Sequence, residues 1–364
     1  MTVLLTGASG HVGANLLRLL LSRGEEVRVL VRASTKPAAF EGLGVTFATG
    51  DLRDAPSVRA AVRGCELVYH CAAKVSTTQG HERDLYETNV MGTRHVLAAS
   101  QAEGVKRVVV TSSLGAVGHP QGRPCVEGDG FNPFEHHLPY EESKAWVEHE
   151  CLKFACDGLP VVMVVSTAVL GPNDFGPSRM GRVIADFANR ELTAFIPGGF
   201  EFVGAGDLAR GHVLAMQNGR PGQRYIVSGE FLSVDDLMAM LERVSGVAKP
   251  RLRLPPTLMM GVAHASTFLL RRLRRGASVR FTPDAVRLLQ LQRHASIDKA
   301  RRELGYAPTP IERSVREAHD WFVDRGVIRR DARPKVGAAP AREPATPSPA
   351  RFEHGLDQDR GVST

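Results

Sequence analysis

The sequence predicts a doubly wound parallel α/β sheet with a smaller, mixed α/β C-terminal lobe, and three observations lead there. An apolar run at residues 3–5 breaks into a glycine-rich turn and enters an amphipathic helix by residue 20. Two later runs, Val105 to Val110 and Val161 to Val165, are dominated by valine, as strands covered on both faces are. Between them lies a helix with Tyr140 and Lys144 one turn apart, so strand and helix alternate as they do in parallel sheets.

The first strand, Val3 to Leu5, ends in a loop with glycines at 7, 10 and 13, and the next helix carries Leu16, Leu17, Leu19 and Leu20. Glycines so spaced let the chain turn tightly, let backbone approach a pyrophosphate and let the helix pack on the sheet. The helix N-terminus adds free N–H groups for the anion. Gly7, Ser9, Gly10, His11, Val12 and Gly13 are therefore candidate dinucleotide contacts. An ordinary strand-to-helix turn also uses glycines, so a second motif has to support the reading.

Glu26 to Val31 reads as a second strand, and Arg32 and Lys36 follow where an acid would hydrogen-bond a ribose. Basic residues there accept a 2′-phosphate, which favours NADP(H) over NAD(H); the bland alternative is a solvated basic loop. A third strand, Val45 to Ala48, leads to Asp51, Leu52 and Asp54, with Asp54 as the cap of a helix over 56–63. Leu67 to Tyr69 is a buried strand. Ala72 and Ala73 after it leave room for a cofactor to cross the strand ends, and His70 reads as a structural residue.

A helix is expected from Tyr86 to Ala102, with Asn89 in need of backbone partners. The valine-rich strand that follows ends in Thr111-Ser112-Ser113, at the strand edge where open α/β sheets bind ligands. In Tyr140-Glu141-Glu142-Ser143-Lys144, a spacing of four puts phenol and ammonium on one helix face. The neighbouring cation is expected to draw the phenol down toward the working pH range.

With Thr6 ahead of the glycines, these motifs resemble those of the extended short-chain dehydrogenases/reductases of the NAD-dependent epimerase/dehydratase group. The nearest likeness is to its dihydroflavonol reductase-like branch, which borders on the 3β-hydroxysteroid dehydrogenases. The likeness runs from residue 2 to about 328. It takes in Val169-Leu170-Gly171-Pro172, Gly198-Gly199, Asp207-Leu208-Ala209-x-Gly211-His212, Tyr225-Ile226-Val227-Ser228-Gly229, Ile297-Asp298-Lys299-Ala300 and Leu304-Gly305-Tyr306-x-Pro308. The resemblance implies that Tyr140 donates a proton to a carbonyl, that Lys144 tunes it and holds the nicotinamide ribose, and that Ser113 orients the substrate oxygen, with Ser112 as the alternative. It also implies that Asp51 and Leu52 lie beside the adenine, that Asn89 braces the active-site helix, and that copies pair through the helices around 90 and 145. Two departures stand out. Ser166-Thr167 replaces an Arg-Pro found in many sugar-nucleotide members, and Ser113-Leu114-Gly115 replaces the Thr-Asp-Glu of the dehydratases.

Both departures favour simple carbonyl or alcohol chemistry. The expected activity is NADP(H)-dependent reduction of a ketone or aldehyde on a small, largely apolar molecule. Alternatives are a nucleotide-sugar epimerase with tightly held NAD and a 3β-hydroxysteroid dehydrogenase-like enzyme. A non-catalytic NADP-sensing module is disfavoured by the Tyr140/Lys144 pair.

At 364 residues, 43% of them apolar, the chain has room for a Rossmann domain over 1–170 and a substrate lobe over 171–330. Residues from about 203 to 228 are expected to return to the first domain. Substrate is expected under the loop Gly118 to Pro139 and against 170–202. Ile311, Val315, Ala318 and Phe322 space a last amphipathic helix, and residues 331–364 read as a disordered tail. The net charge is +7, but eight basic residues and no acidic one lie between Lys249 and Arg280, leaving the rest of the chain at −1. That distribution argues against nucleic acid as the main partner. Residues 258–275 join a short apolar run to an arginine cluster; core helix, lid and peripheral membrane contact are the three readings. Five cysteines without zinc-like spacing lead us to expect neither metal nor disulfide, and a strand starting at residue 3 leaves no room for a signal peptide, so the expected location is the cytoplasm.

Overall fold

The computed structural model describes residues 2–35, 37–76, 80–255 and 283–329. Lys36, residues 258–275 and the tail 331–364, each given a role above, lie outside the described residues.

Seven parallel strands form the main sheet: β1 (Thr2–Thr6), β2 (Glu26–Val31), β3 (Thr46–Thr49), β4 (Leu67–His70), β5 (Arg107–Ser113), β6 (Val161–Ser166) and β10 (Arg224–Val227). Their order is β10-β6-β5-β4-β1-β2-β3. The chain winds outward from β1 through β2 to β3, then returns to β4 and winds the other way. The carboxyl ends of β1 and β4 are therefore where the connections part, leaving a crevice between them. The valine runs account for the centre: Val108, Val109 and Val110 of β5 and Val161 to Val165 of β6 are all essentially without exposure.

On one side of this sheet lie α1 (His11–Ser22) and α7 (Ala205–Asn218), which pack on each other. On the other lie α2 (Ala55–Val62), α4 (Gly92–Ala102) and α5 (Pro139–Cys156). Gly211 lets α7 press onto β10, since a Cβ there would sit 2.6 Å from a Val227 methyl. A second, three-stranded sheet is built from β7 (Ala168–Leu170), β9 (Gly199–Gly204) and β11 (Glu230–Ser233). It shares a separate apolar core with α6 (Arg179–Ala188), α8 (Val234–Ser245) and α11 (Ile311–Asp324), whose Ile311, Val315, Ala318 and Phe322 are all buried. β8 (Ala194–Phe195) pairs with β12 (Leu252–Arg253), and α9 (Pro283–Gln290) and α10 (Asp298–Leu304) precede α11.

Of the boundaries that differ from the sequence reading, three have a clear cause. The helix expected from Tyr86 begins at α3 (Glu82–Leu85) and passes through a wide π turn, Tyr86–Met91, before α4. Apolar periodicity does not register one inserted residue in a turn. β5 starts two residues later than expected and runs through Ser113, because Val105 closes the turn after α4 by bonding to the Ser100 carbonyl. β3 is displaced by one residue, as its exposed edge position leaves little burial pattern to read. Among the described residues no helix is long and apolar enough to cross a membrane. All five cysteines are free thiols.

Candidate active site

The glycine loop closes the carboxyl end of β1. Gly7 takes a left-handed φ of +73°, and a Cβ on it would lie 2.5 Å from the Ala72 backbone nitrogen, so loop and β4 end can touch only through glycine. A Cβ on Gly13 would lie 2.2 Å from the Gly7 carbonyl oxygen, whereas one on Gly10 would lie 3.3 Å from the same atom. Ser9 and Gly10 are exposed at the tip. α1 begins at Gly10 with no side-chain cap and no acidic residue in its first turn, so its first N–H groups stand open to an anion. His11 donates to the Gly171 carbonyl at 3.2 Å, and Asn15 donates to the Pro172 carbonyl at 2.9 Å. The Val-Leu-Gly-Pro run thus holds the start of α1, and Val12 is half-buried beneath it.

Around this loop the other candidate cofactor contacts sit at neighbouring strand ends. Arg32 is exposed at the end of β2, its own N–H bonded to the Thr35 hydroxyl at 3.1 Å. Its charge, together with a direct hydrogen bond from Arg53, holds the Asp51 carboxylate below the usual range; the Arg53 bond is the larger cause. Leu52 packs against the bare Cα of Gly92, where a Cβ would lie 2.9 Å away. Ala72 and Ala73 follow β4, half-buried. His70 is fully engaged between the Thr6 hydroxyl at 2.7 Å and the Thr93 hydroxyl at 2.9 Å, and burial pushes it down to about 3. It is a neutral structural imidazole.

The candidate catalytic side chains come from β5 and α5. Ser113, at the end of β5, accepts from the Gly115 N–H at 3.3 Å, and its hydroxyl lies near enough to Tyr140 to draw the phenol down. Ser112 points to the opposite face, where it donates to Glu148 at 2.5 Å. Lys144 is buried and donates to the Thr111 carbonyl at 2.8 Å, with its ammonium 6.0 Å from the centre of the Tyr140 ring. The expected downward pull on the phenol is not what the protein shows. Burial pushes Tyr140 up to about 12, with the Ser113 hydroxyl acting the other way, and burial also pushes Lys144 down to about 8. Desolvation is the largest influence on both groups, and the Lys144 ammonium is engaged by a backbone carbonyl.

The surrounding residues hold this arrangement. Asn89 accepts from the Lys74 N–H at 2.7 Å, donates to the Lys74 carbonyl at 2.9 Å and donates to Ser143 at 3.0 Å, so it ties the β4 exit to α5. His212 of α7 donates to the Leu208 carbonyl at 2.8 Å, which leaves its other nitrogen to accept from the Thr111 hydroxyl at 2.7 Å. The Gly115 departure has a steric counterpart, since a Cβ there would lie 2.6 Å from Glu141 Cγ. Glu141 in turn accepts from Leu138 N–H at 2.9 Å and from Arg293 at 2.7 Å. Sequence reasoning missed Glu148, Arg224, His212 and Arg293, whose partners stand between 36 and 152 positions away. Among the described residues no group of acidic, histidine or cysteine side chains is placed to hold a metal.

This geometry matches a known family. The model for the NAD dependent epimerase/dehydratase family fits residues 3–228. The chain belongs to that family. It is an extended short-chain dehydrogenase/reductase of the dihydroflavonol reductase-like kind, an enzyme of the NAD(P)-dependent class that acts on CH–OH and C=O groups. A relative named "Sterol demethylase protein B" from Methylococcus capsulatus is 44% identical over 329 residues, 90% of this chain and all of that protein. A 3-beta-hydroxysteroid dehydrogenase of Mycolicibacterium neoaurum is 29% identical, over 93% of this chain and 96% of its own length. The crystal structure of gox2253 superposes with a TM-score of 0.79 at 32% identity, covering 90% of this chain and 99% of that one.

Proposed function

We propose that this enzyme interconverts a carbonyl and an alcohol on a largely apolar, sterol-like small molecule, using NADP(H) and Tyr140 as the proton donor. The observation that carries the reading is the half-buried Ser113 and Tyr140 hydroxyls brought together at the strand edge, with Lys144 one turn along α5. The names of the sterol-related relatives support the substrate class.

Ser113 would orient the substrate oxygen toward the Tyr140 hydroxyl. A phenol held up near 12 stays protonated at neutral pH, as a proton donor must. Lys144 would bond the nicotinamide ribose while anchored on Thr111. Gly7, Ser9, Gly10, His11, Val12 and Gly13 would receive the pyrophosphate, Arg32 the 2′-phosphate, and Asp51, Leu52, Ala72 and Ala73 the adenosine and bridging portions. When bound, the nicotinamide supplies the hydride. Trp146 and Leu152 stand exposed on the outer face of α5, which supports pairing of two copies there.

Two measurements test this reading. Tyr140→Phe should lower turnover of a 3-ketosteroid by roughly 10²–10⁴-fold and leave NADPH affinity nearly unchanged; surviving turnover would reject Tyr140 as donor. In parallel titrations, Arg32→Glu should weaken NADPH by about tenfold or more and NADH far less. Equal losses would remove the case for NADP(H).

A further inference from the structure

Tyr140, Lys144 and Glu148 recur every fourth residue, so they share one face of α5. The sheet holds the last two on consecutive residues of β5. Lys144 donates to the Thr111 carbonyl at 2.8 Å, and Glu148 accepts from the Ser112 hydroxyl at 2.5 Å. The second Glu148 oxygen accepts from Arg224 of β10. The same guanidinium also donates to the Glu127 and Asp129 carbonyls, each at 2.8 Å, and to the Ala116 carbonyl at 3.3 Å. Arg224 therefore ties the start and the middle of the loop before α5 to one buried carboxylate.

Consider every group facing Lys144. From α5 come the Tyr140 phenol, Glu148 and Cys151; from the β4 end come His70 and Cys71; from β5 comes the Thr111 carbonyl. The phenol and both thiols are held up by burial and are neutral, and His70 is a neutral imidazole. Glu148 is the one carboxylate among them. Facing Glu148 are Ser112, Arg224, Lys144 and Cys151. It stands between two cations, one inside the crevice and one at its back.

We propose that Glu148 is a positioning residue that keeps the Lys144 ammonium charged in the desolvated crevice, and that Arg224 competes for the same carboxylate and so sets the strength of that support. This rests on the Tyr140/Lys144 reading above. A neutral Lys144 would lose its hold on the ribose, so activity should fall as pH rises through the Lys144 titration. Removing the anion destabilises the ammonium and brings that fall to lower pH; removing the competing cation does the reverse.

The test is kcat/KM for NADPH oxidation with a 3-ketosteroid from about pH 6 to about pH 10, with NADPH affinity measured over the same range as a readout that needs no turnover. Glu148→Gln should move the descending limb down by about one pH unit, and Arg224→Met should move it up. The double variant removes the pair whole, and its melting temperature separates misfolding from charge effects. A uniform loss with an unmoved limb in both single variants would make the pair merely structural and overturn the inference. Lys144→Met distinguishes the two levels. If it retains turnover and affinity, the Tyr140/Lys144 reading falls; if it loses them while neither limb moves, only the role of Glu148 falls.

Discussion

The two halves of the site are built by opposite means. At the β1–α1 loop, contact is made by removing side chains: Gly7 and Gly13 bring backbone within distances that a single Cβ would forbid. At the β5–α5 edge, contact is made by adding them, in a mesh of the buried Ser112, Lys144 and Glu148 and the half-buried Ser113, Tyr140 and Arg224. A diphosphate is bound through many weak, identical N–H groups, so shape suffices. Proton transfer needs particular atoms at particular places, and each must be held by a partner.

The largest effect that could break this comparison lies in the two adjacent serines. Ser113→Ala should lower kcat/KM by about a hundredfold, the usual cost of losing one hydrogen bond to the reacting oxygen. Ser112→Ala should leave kinetics within a few-fold and cost about 1–3 kcal/mol of stability, because one of the two Glu148 oxygens loses its donor. Steady-state kinetics and urea unfolding of both proteins decide it. If the two behave alike, the assignment of opposite faces to them is wrong.

On the backbone side, Gly13→Ala should cost about 1–3 kcal/mol, since the clash is with a carbonyl that cannot step aside. Gly10→Ala meets that carbonyl only at 3.3 Å and should fold nearly as well as the parent. Its methyl would stand at the exposed tip, so NADPH affinity should fall while the melting temperature holds. Equal thermal losses would mean that Gly10 serves packing and not the ligand.

How much of this was legible in the chain follows from the same contrast. The glycine loop is written contiguously in residues 6–13, and the valine runs and the Tyr140/Lys144 spacing are local too. Local patterns survive translation into structure. The mesh does not, because its members meet only when β10, α7 and the segment at 293 fold back onto the first half of the chain. Arg224 reaches Glu148 across 76 positions, and His212 reaches Thr111 across 101. For Glu148 one local signal existed, its place one turn beyond Lys144 on the same helix face. Nothing local distinguishes Arg224 from the other arginines. The phenol was misjudged for a related reason: proximity of a cation was readable, but burial and the carbonyl that engages Lys144 were not.

The buried imidazoles give the smallest and most general prediction. His70 and His212 are fully enclosed and held down to about 3 and about 4 by burial. Both are neutral in the fold, whereas in the unfolded chain they take up a proton below about pH 6.5. Between that pH and their folded values the unfolded state binds more protons, so stability is complete above about pH 6.5 and is lost as pH falls through the window. Each contributes a slope of up to about 1.4 kcal/mol per pH unit. His212→Gln can keep both contacts, donating to Leu208 and accepting from Thr111, while removing the proton. The variant should therefore unfold at a lower urea midpoint near neutrality, yet lose less stability than the parent between about pH 6.5 and about pH 4.5. Parallel slopes for the two proteins would mean that His212 is not held neutral, and that the support behind Thr111 is more open to water than its burial implies.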